Sequence, residues 1–330
     1  MTSEGPVVVT GAAGFIGRHL VESMVRDGAR VRGITRRPGS LPEGAETAVA
    51  EDLLDREGIR RALGGASSVV HLAARVHAKP EGKGDPASEC RRVNVDGTAL
   101  LLEEAAAAGI RNFVFISSVK AVGNESASAL TPETAALPTD AYGESKLEAE
   151  RLVRVVATRE GISAPVLRLP VVYGPGMKAN MAALFGAVSR GLPLPLGSVQ
   201  NRRSFAYVGN VVEAIRGLLG VEQAESPVAY VSDEHDLSTP DLVRQIARSL
   251  GKPPRLVPVP VGLLNAGART GGLLSRIAGF HFSTESVTAV LGSLFVDTSS
   301  LREMTGYQPP FSVEQGMSLT AAWFNKHRSR

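Results

Sequence analysis

Short runs of β-branched and other apolar residues alternate with amphipathic segments along the first two thirds of the chain. Such runs predict buried strands, and apolar positions that recur every three or four residues predict helices packed against them. The predicted strands are Val7–Thr10, Val31–Thr35, Thr47–Ala50, Ser68–His71, Phe113–Ser117 and Pro165–Leu169. The predicted helices are Phe15–Arg26, Glu57–Leu63, Asn94–Ala107 and Ala141–Thr158. This alternation is typical of an α/β protein whose doubly wound parallel sheet carries helices on both faces.

The pattern changes after Leu169, where glycine and proline become frequent. Tyr173–Gly176 and Gly191–Pro195 predict irregular connections, and a later helix is expected over Thr239–Leu250, with Thr239 as its N-cap. Residues 262–279, rich in glycine, leucine and alanine, fit either a surface helix or a flap. We expect one domain over residues 1–170 and a smaller C-terminal α/β lobe over residues 171–330, some of whose segments return to the main sheet.

A glycine-rich turn separates the first predicted strand from the first predicted helix. Gly11 permits a tight turn, Gly14 lets a pyrophosphate approach the backbone, and Gly17 lets the helix pack closely on its strand. The free N–H groups at the helix N-terminus would then face the phosphates. This spacing indicates a dinucleotide site. The alternative is a tight turn between strand and helix that binds no ligand.

Composition and charge narrow the class of protein. The 330 residues are 43% apolar and 21% charged, as expected for a globular enzyme. A net charge of +3, evenly distributed, does not indicate a nucleic-acid partner. No apolar run is long enough to cross a bilayer and no secretory pattern is visible, so we expect a cytoplasmic protein without a membrane partner. The single cysteine, Cys90, fits a reducing compartment, and we predict no metal site.

Three polar residues form the candidate catalytic group. Tyr142 and Lys146 are four residues apart in the predicted helix Ala141–Thr158, so their side chains share one face. A neighbouring ammonium should lower the pKa of the phenol, ordinarily about 10, and let it act as a general base. Ser118, at the end of a predicted strand, can hydrogen-bond a substrate hydroxyl and relay its proton to Tyr142. The alternative is an exposed helix surface, and we interpret the neighbouring Ser117 as a turn cap.

These motifs together resemble the extended short-chain dehydrogenase/reductase family, whose members act on nucleotide sugars through a Rossmann-type NAD(P)-binding domain. The resemblance covers nearly the whole chain and rests on Thr10–Gly17, Asp52-Leu53, His71–Ala74, Asn94–Thr98, Ser117-Ser118, Tyr142 with Lys146, and Tyr173–Gly176. It implies that the chemistry is performed by Ser118, Tyr142 and Lys146. It implies that the cofactor is bound by Gly11, Ala13, Gly14, Phe15, Ile16, Gly17, Thr35, Arg36, Asp52, Leu53, Leu72, Ala73, Ala74, Asn94, Tyr142 and Lys146.

Within that set the resemblance gives three residues a particular contact. It implies that Asp52 binds the adenine amine, that Ala73 lies along the cofactor and that Lys146 holds the nicotinamide ribose. His71 belongs to the same motif as Ala73, but we interpret it as a core histidine whose hydrogen bonds are satisfied, outside the site.

The residues after the second predicted strand bear on the choice of cofactor. An acidic residue there binds the ribose hydroxyls of NAD, but this chain has Thr35-Arg36-Arg37. Arginine can donate two parallel hydrogen bonds to the 2′-phosphate of NADP, whereas a carboxylate would repel it. This favours NADP over NAD. If Arg36 stacks on the adenine and Arg37 is exposed, either cofactor fits.

For the nucleotide-sugar substrate, the resemblance points to the C-terminal lobe. Related proteins contact the diphosphate through an asparagine that corresponds to Asn180 and hold it with an arginine that corresponds to Arg203. Ser118 would contact the sugar itself. The alternative for Arg203 is a surface position on an edge strand.

Departures from the family narrow the predicted reaction. Ser118-Val119-Lys120 lacks the carboxylates of dehydratases and decarboxylases, whereas Ile116–Lys120 resembles 4-epimerases and 4-keto reductases of polysaccharide biosynthesis. We predict 4-epimerisation of a nucleoside-diphosphate hexose, with UDP as the nucleotide, through a 4-keto intermediate. The alternatives are an NADPH-dependent 4-keto-sugar-nucleotide reductase and a non-catalytic NADP-binding redox sensor. The resemblance also implies a homodimer.

Overall fold

The computed structural model describes residues 5–76, 85–221, 226–269 and 290–328. Its strands are β1 (Val7–Thr10), β2 (Val31–Thr35), β3 (Glu46–Val49), β4 (Ser68–His71), β5 (Asn112–Ser118), β6 (Val166–Leu169), β7 (Val171–Tyr173), β8 (Phe205–Tyr207) and β9 (Val228–Tyr230). Its helices are α1 (Phe15–Arg26), α2 (Arg56–Leu63), α3 (Pro86–Arg91), α4 (Gly97–Ala107), α5 (Ala141–Glu160), α6 (Ala179–Ser189), α7 (Val208–Leu218), α8 (Thr239–Ser249), α9 (Val261–Arg269), α10 (Ser299–Thr305) and α11 (Val313–Arg328). A π-helical turn occupies Arg92–Asp96, and a 3₁₀ turn occupies Val119–Ala121.

Within these ranges, seven strands form one parallel sheet in the order β3-β2-β1-β4-β5-β6-β9. The strand order reverses at β1: β2 and β3 follow it on one side, and β4, β5, β6 and β9 follow it on the other. Val7 of β1 is accordingly aligned with Val31 of β2 and with Ser68 of β4. Such a reversal opens a crevice at the carboxyl ends of the strands. The predicted doubly wound α/β class is confirmed. A separate parallel pair joins β7 to β8.

Apolar cores cover both faces of the large sheet. Val9 of β1 belongs to a core with α1, α7 and α10, whereas Val8 belongs to a core with α2, α4 and α5. Successive side chains of a strand point to opposite faces, so these two cores lie on opposite sides of the sheet. A third core joins α6, α8 and α11 with β8 in the C-terminal half. Strand β9 and helix α7 come from that half of the chain but pack on the large sheet.

Several helix ends differ from the sequence prediction, among them those of α8 and α5. The N-cap of α8 is Ser238 rather than Thr239, since the Ser238 hydroxyl accepts the Asp241 N–H at 3.2 Å. Helix α5 continues to Glu160 and ends where Gly161 adopts a φ of 64°. Glycine permits this left-handed conformation without strain and therefore fixes the end of the helix.

Part of the glycine- and leucine-rich segment is helical. Its start lies in α9, whereas residues 270–279 lie outside the described residues. Among the helices that the structure describes, none has the length and apolar character needed to span a membrane.

Candidate active site

The turn between β1 and α1 leaves no room for side chains at two of its glycines. Gly11 has a φ of 66°, and a Cβ there would lie 2.8 Å from the backbone nitrogen of Ala73. A Cβ on Gly17 would lie 2.2 Å from the carbonyl oxygen of Gly11. Gly14 stands at the N-cap of α1 and provides no side-chain cap. The backbone of the β1–α1 turn and the free N–H groups at the N-terminus of α1 therefore form one surface that no side chain covers at the glycines.

This surface is one wall of a cavity of about 730 Å³ at the carboxyl ends of β1, β2 and β4. Its volume and its place at the reversal of strand order are those of a ligand site. From the predicted cofactor set, the lining includes Gly11, Ala13, Gly14, Thr35, Arg36, Asp52, Leu53, Leu72, Ala73 and Ala74. The members of the predicted set outside this lining are Phe15, Ile16, Gly17, Asn94, Tyr142 and Lys146.

Asp52 is fixed at the cavity wall by two hydrogen bonds. One carboxylate oxygen accepts the Leu54 N–H at 2.7 Å, and the other accepts from the Arg92 guanidinium at 3.0 Å. Burial opposes ionisation of Asp52, but these bonds outweigh it and lower its pKa below the ordinary value. Arg92 also lines the cavity. Sequence reasoning misses it, because Arg91-Arg92 has the pattern of a solvated surface pair.

The turn after β2 gives the cavity a positive rim. Thr35 Oγ1 donates to the Arg37 carbonyl at 2.6 Å and accepts the Arg37 N–H at 2.9 Å, which fixes the turn. The side chain of Arg36 is exposed beside it. The charged residues of the lining are Arg36, Arg37, Arg75, Arg92 and Asp52. This excess of cations favours an anionic ligand.

His71 is buried between two threonines rather than exposed to the cavity. Its Nδ1 lies 2.6 Å from Thr10 Oγ1, and its Nε2 lies 2.9 Å from Thr98 Oγ1. Burial lowers its pKa to about 3, and the nearby Lys146 adds to this effect. His71 is therefore a neutral core histidine with both ring nitrogens hydrogen-bonded, as the sequence interpretation expects.

The catalytic candidates come together at the end of β5 and the start of α5. The Ser118 side chain lies beside the phenol of Tyr142 and acts on its pKa. Lys146, one turn further along α5, is buried, donates to the Ile116 carbonyl at 2.6 Å and lies 4.1 Å from the centre of the Phe115 ring. Burial lowers the pKa of Lys146 to about 7, against the opposing charge of Glu150. An exposed helix surface is thus excluded for Lys146.

The pKa of Tyr142 differs from the sequence prediction. Burial raises it to about 12, the hydrogen bond with Ser118 opposes this, and the Asp140 carboxylate adds to it. Lys146 was expected to lower this pKa, but its ammonium is instead engaged by the carbonyl of Ile116. Four-residue spacing places two side chains on one face, and burial decides what each of them then contacts.

Ser117 is not the turn cap that its sequence context suggests. Its hydroxyl donates to the Glu150 carboxylate at 2.5 Å, whereas the cap is Ser118, which accepts the Lys120 N–H at 3.2 Å. Glu150 also forms a buried ion pair with Arg168, whose Nη2 lies 2.7 Å from the carboxylate. The sequence did carry a signal for Glu150, since it is four residues beyond Lys146 on the same helix face.

Asn94 lies in the π-helical turn that interrupts the helix predicted over Asn94–Ala107. Its amide oxygen accepts the Arg75 N–H at 2.8 Å, and its amide nitrogen donates to the Ser145 hydroxyl at 2.9 Å. Asn94 therefore connects the end of the cavity wall to the helix that carries Tyr142. Such π-helical turns often occur at functional sites.

Arg203 is buried, with 6% of its surface exposed, so the alternative of a surface position is excluded. Its backbone pairs with Leu237, and its guanidinium donates to the Gly292 carbonyl at 2.9 Å. Burial lowers the pKa of the guanidinium, and the Glu125 carboxylate opposes this change. Asn180, by contrast, is exposed in the first turn of α6. Neither residue lines the cavity described above.

Comparison with known proteins agrees with this arrangement. The model of the NAD dependent epimerase/dehydratase family matches residues 7–231. A UDP-glucose 4-epimerase of Vibrio cholerae is 33% identical over 98% of this chain and 97% of its own length. An N-acetyl-alpha-D-glucosaminyl-diphospho-ditrans,octacis-undecaprenol 4-epimerase of Escherichia coli O157:H7 is 28% identical over 98% of this chain and 96% of its own length. The solved structure of MoeE5 in complex with UDP-glucose and NAD is 28% identical, with a TM-score of 0.76, and the match covers 98% of this chain and 100% of that one.

Proposed function

The chain belongs to the NAD-dependent epimerase/dehydratase family of enzymes, and from this premise we propose that it epimerises C4 of a nucleoside-diphosphate hexose, with UDP as the nucleotide. The observation that carries the proposal is the group formed by buried Ser118, half-buried Tyr142 and buried Lys146 at the carboxyl end of the parallel sheet. The 4-epimerase names of the relatives from Vibrio cholerae and Escherichia coli O157:H7 support the choice of C4.

The cavity residues fit a dinucleotide, NAD or NADP. Gly11 and Gly14 line the cavity without side chains, so a pyrophosphate can approach the backbone there, and the α1 N-terminus favours its negative charge. Asp52 is an ionised acceptor suited to the adenine amine, and Ala73 lies beside Gly11 along the wall. When bound, the dinucleotide supplies the acceptor and donor of hydride for reversible oxidation of one sugar carbon.

The residues of this chain would then move the proton. Tyr142 takes the proton of the 4-hydroxyl, directly or through Ser118, as the carbon is oxidised, and returns it to the oxygen after the sugar has turned. Ser118 orients the sugar oxygen toward Tyr142 by its own hydroxyl. Lys146 is buried one helix turn from Tyr142, has a pKa of about 7, and would hold the nicotinamide ribose when the dinucleotide is bound.

Arg203 is the proposed anchor for the diphosphate. A guanidinium has five N–H donors, so the bond to the Gly292 carbonyl leaves others for phosphate oxygens. Its burial would strengthen a charge-assisted hydrogen bond, because little water competes for it. Asn180 is proposed as a second contact, and its exposure in the first turn of α6 leaves its amide accessible to a ligand.

The experiment follows the configuration at C4. The purified enzyme is incubated with UDP-glucose, UDP-glucuronic acid or UDP-N-acetylglucosamine, and products are identified by nuclear magnetic resonance while nicotinamide absorbance is recorded. We expect one of these substrates to equilibrate with its 4-epimer without net change in the nicotinamide. No epimer from any UDP-hexose would contradict the proposal.

A 4-keto-sugar-nucleotide reductase is the second candidate, and the arginine-rich rim of the cavity favours it. A guanidinium at Arg36 suits the 2′-phosphate of NADPH, and reductases consume this cofactor. The same incubation separates the candidates if it is repeated with a UDP-4-keto-hexose and NADPH. Stoichiometric loss of NADPH absorbance without 4-epimer formation from the hexose would identify a reductase.

A further inference from the structure

An ion pair connects the two chain segments that carry Ser118 and Tyr142. Lys120 is two residues beyond Ser118, and Asp140 is two residues before Tyr142. The Lys120 Nζ lies 2.6 Å from the Asp140 carboxylate. The ion pair thus joins the two segments close to both hydroxyls, because Lys120 lies near Ser118 in the sequence and Asp140 lies near Tyr142.

Both charged residues also fix the backbone of these segments. The other Asp140 oxygen accepts the Gly143 N–H at 2.8 Å and thereby caps α5. The Lys120 N–H donates to the Ser118 hydroxyl at 3.2 Å. A Cβ on Gly143 would lie 2.3 Å from the Lys120 carbonyl oxygen, so the 3₁₀ turn and the helix start are in direct contact. A change in the ion pair therefore acts close to both hydroxyls.

Resting on the proposed function, we propose that Lys120 and Asp140 are a positioning pair, which holds the Ser118 and Tyr142 hydroxyls together and balances the charge around the phenol. Neither residue needs to touch the substrate in this role.

The charged groups around Tyr142 predict the direction in which each substitution shifts its pKa. From its own helix, Tyr142 faces the Asp140 carboxylate, which raises the phenol pKa, and Lys146 lies one turn away. From α3 it faces the Cys90 thiol, whose own pKa burial raises, so the thiol is neutral near pH 7. From the 3₁₀ turn, Lys120 is ion-paired with the Asp140 carboxylate, and its ammonium offsets the charge of that carboxylate. Removing one partner should thus shift the ionisation of Tyr142 in one direction, and removing the other should shift it in the opposite direction.

The test uses Asp140→Asn, Lys120→Met and the double variant. Asparagine caps helices as well as aspartate, so Asp140→Asn removes the charge and keeps the cap. We expect the pH limb of kcat/KM that reports Tyr142 to fall by about half a pH unit in Asp140→Asn and to rise by about as much in Lys120→Met. The double variant should lie between them. Shifts are modest because Lys120 is 45% exposed and water screens its charge.

A second readout is independent of the reaction. The ultraviolet absorbance of phenolate is titrated with saturating NAD⁺, and the curve of Tyr142→Phe is subtracted to isolate Tyr142. This titration keeps its meaning even if no sugar nucleotide is turned over, so failure of the proposed function and failure of the pair are distinguishable. Opposite shifts in the two single variants support the proposal.

The matched control is Asp55→Asn. Asp55 caps α2 through the Gly58 N–H at 2.9 Å, as Asp140 caps α5, but it is not among the groups that act on Tyr142. We expect this control to leave both readouts unchanged. Shifts of the same sign in both single variants, no shift in either, or an equal shift in the control would overturn the proposal.

Discussion

Around the β1–α1 turn the molecule presents backbone to its cavity, whereas at Arg203 it presents a side chain held where distant segments meet. Gly11 lies in the turn and Gly17 in the first turns of α1, and the room for a Cβ at each is limited by the turn itself and by the adjacent Ala73. Arg203 is held by Leu237 on one side and Gly292 on the other. One region depends on the absence of side chains, and the other depends on correct assembly of the C-terminal half.

The two regions therefore respond to substitution in different ways. Backbone N–H groups recognise phosphate in the same way whatever the rest of the ligand is, so the proposed cofactor side has little freedom to change specificity. A side chain such as Arg203 can be replaced without altering the β1–α1 turn at which the pyrophosphate is proposed to bind. This comparison predicts that substitutions in the two regions separate dinucleotide binding from binding of the sugar nucleotide.

The largest expected effect is on kcat and follows substitution of Tyr142, because the reaction needs the ligands of both regions at this residue. Tyr142→Phe removes only the phenol hydroxyl and should lower kcat by about 10²–10⁴-fold while dinucleotide affinity is retained. Turnover and dinucleotide titration measure the two quantities. Tyr307→Phe is the control, because it removes a hydroxyl that is bonded to the Asn210 carbonyl at 3.3 Å and should leave kcat near the wild-type value. Near-normal turnover in Tyr142→Phe would remove it from the acid/base role.

Next in size is the effect of Arg203→Ala on the sugar nucleotide. Loss of a buried charge-assisted bond to phosphate should raise KM about 10–100-fold, whereas the dissociation constant of the dinucleotide should change little. The neighbouring Arg202→Ala is the matched control, since Arg202 is 63% exposed and pairs with Asp236. Equal losses for both ligands would show instead that Arg203 stabilises the fold, and the comparison of the two regions would fail.

The difference between local contacts and contacts of distant segments also explains which features the sequence predicts well. The glycine turn was predictable because Gly11 and Gly17 act within a few residues of each other. The burial of Arg203 was not, because it depends on a segment about ninety residues further along the chain, at Gly292. For Tyr142 the helix face was predictable, but the raised pKa was not, since burial arises only when β5 and α5 pack together. Asn94, predicted to begin a helix, lies in a π-helical turn before α4, and its contact with the Arg75 backbone joins segments that a helix pattern does not relate.

Gly17→Ala tests the cofactor side. Its Cβ would lie 2.2 Å from the Gly11 carbonyl oxygen, and overpacking of this kind should lower the free energy of unfolding by about 1–3 kcal/mol. Dinucleotide affinity should fall as well, because α1 must move away from the turn. Gly186→Ala is the control, as its nearest atom lies 4.0 Å away and a helical alanine should stabilise by about 0.5–1 kcal/mol. Denaturant titration measures the free energy of unfolding of the two variants. Similar values for the two variants would contradict the backbone argument.

The smallest expected effect concerns Arg36, an exposed side chain on the cofactor side. If Arg36 binds the 2′-phosphate, Arg36→Ala should weaken NADP(H) binding by about 5–10-fold and leave NAD(H) binding nearly unchanged, since an exposed ion pair contributes only about 1 kcal/mol. Added salt should reduce the preference of the wild type for NADP(H), because Arg36 is exposed and salt screens its charge. Thr35→Asp should move selectivity toward NAD by repelling the phosphate and offering an acceptor to the ribose. Tighter binding of NAD than of NADP by the wild type would exclude this role for Arg36 and remove the main physical argument for the reductase.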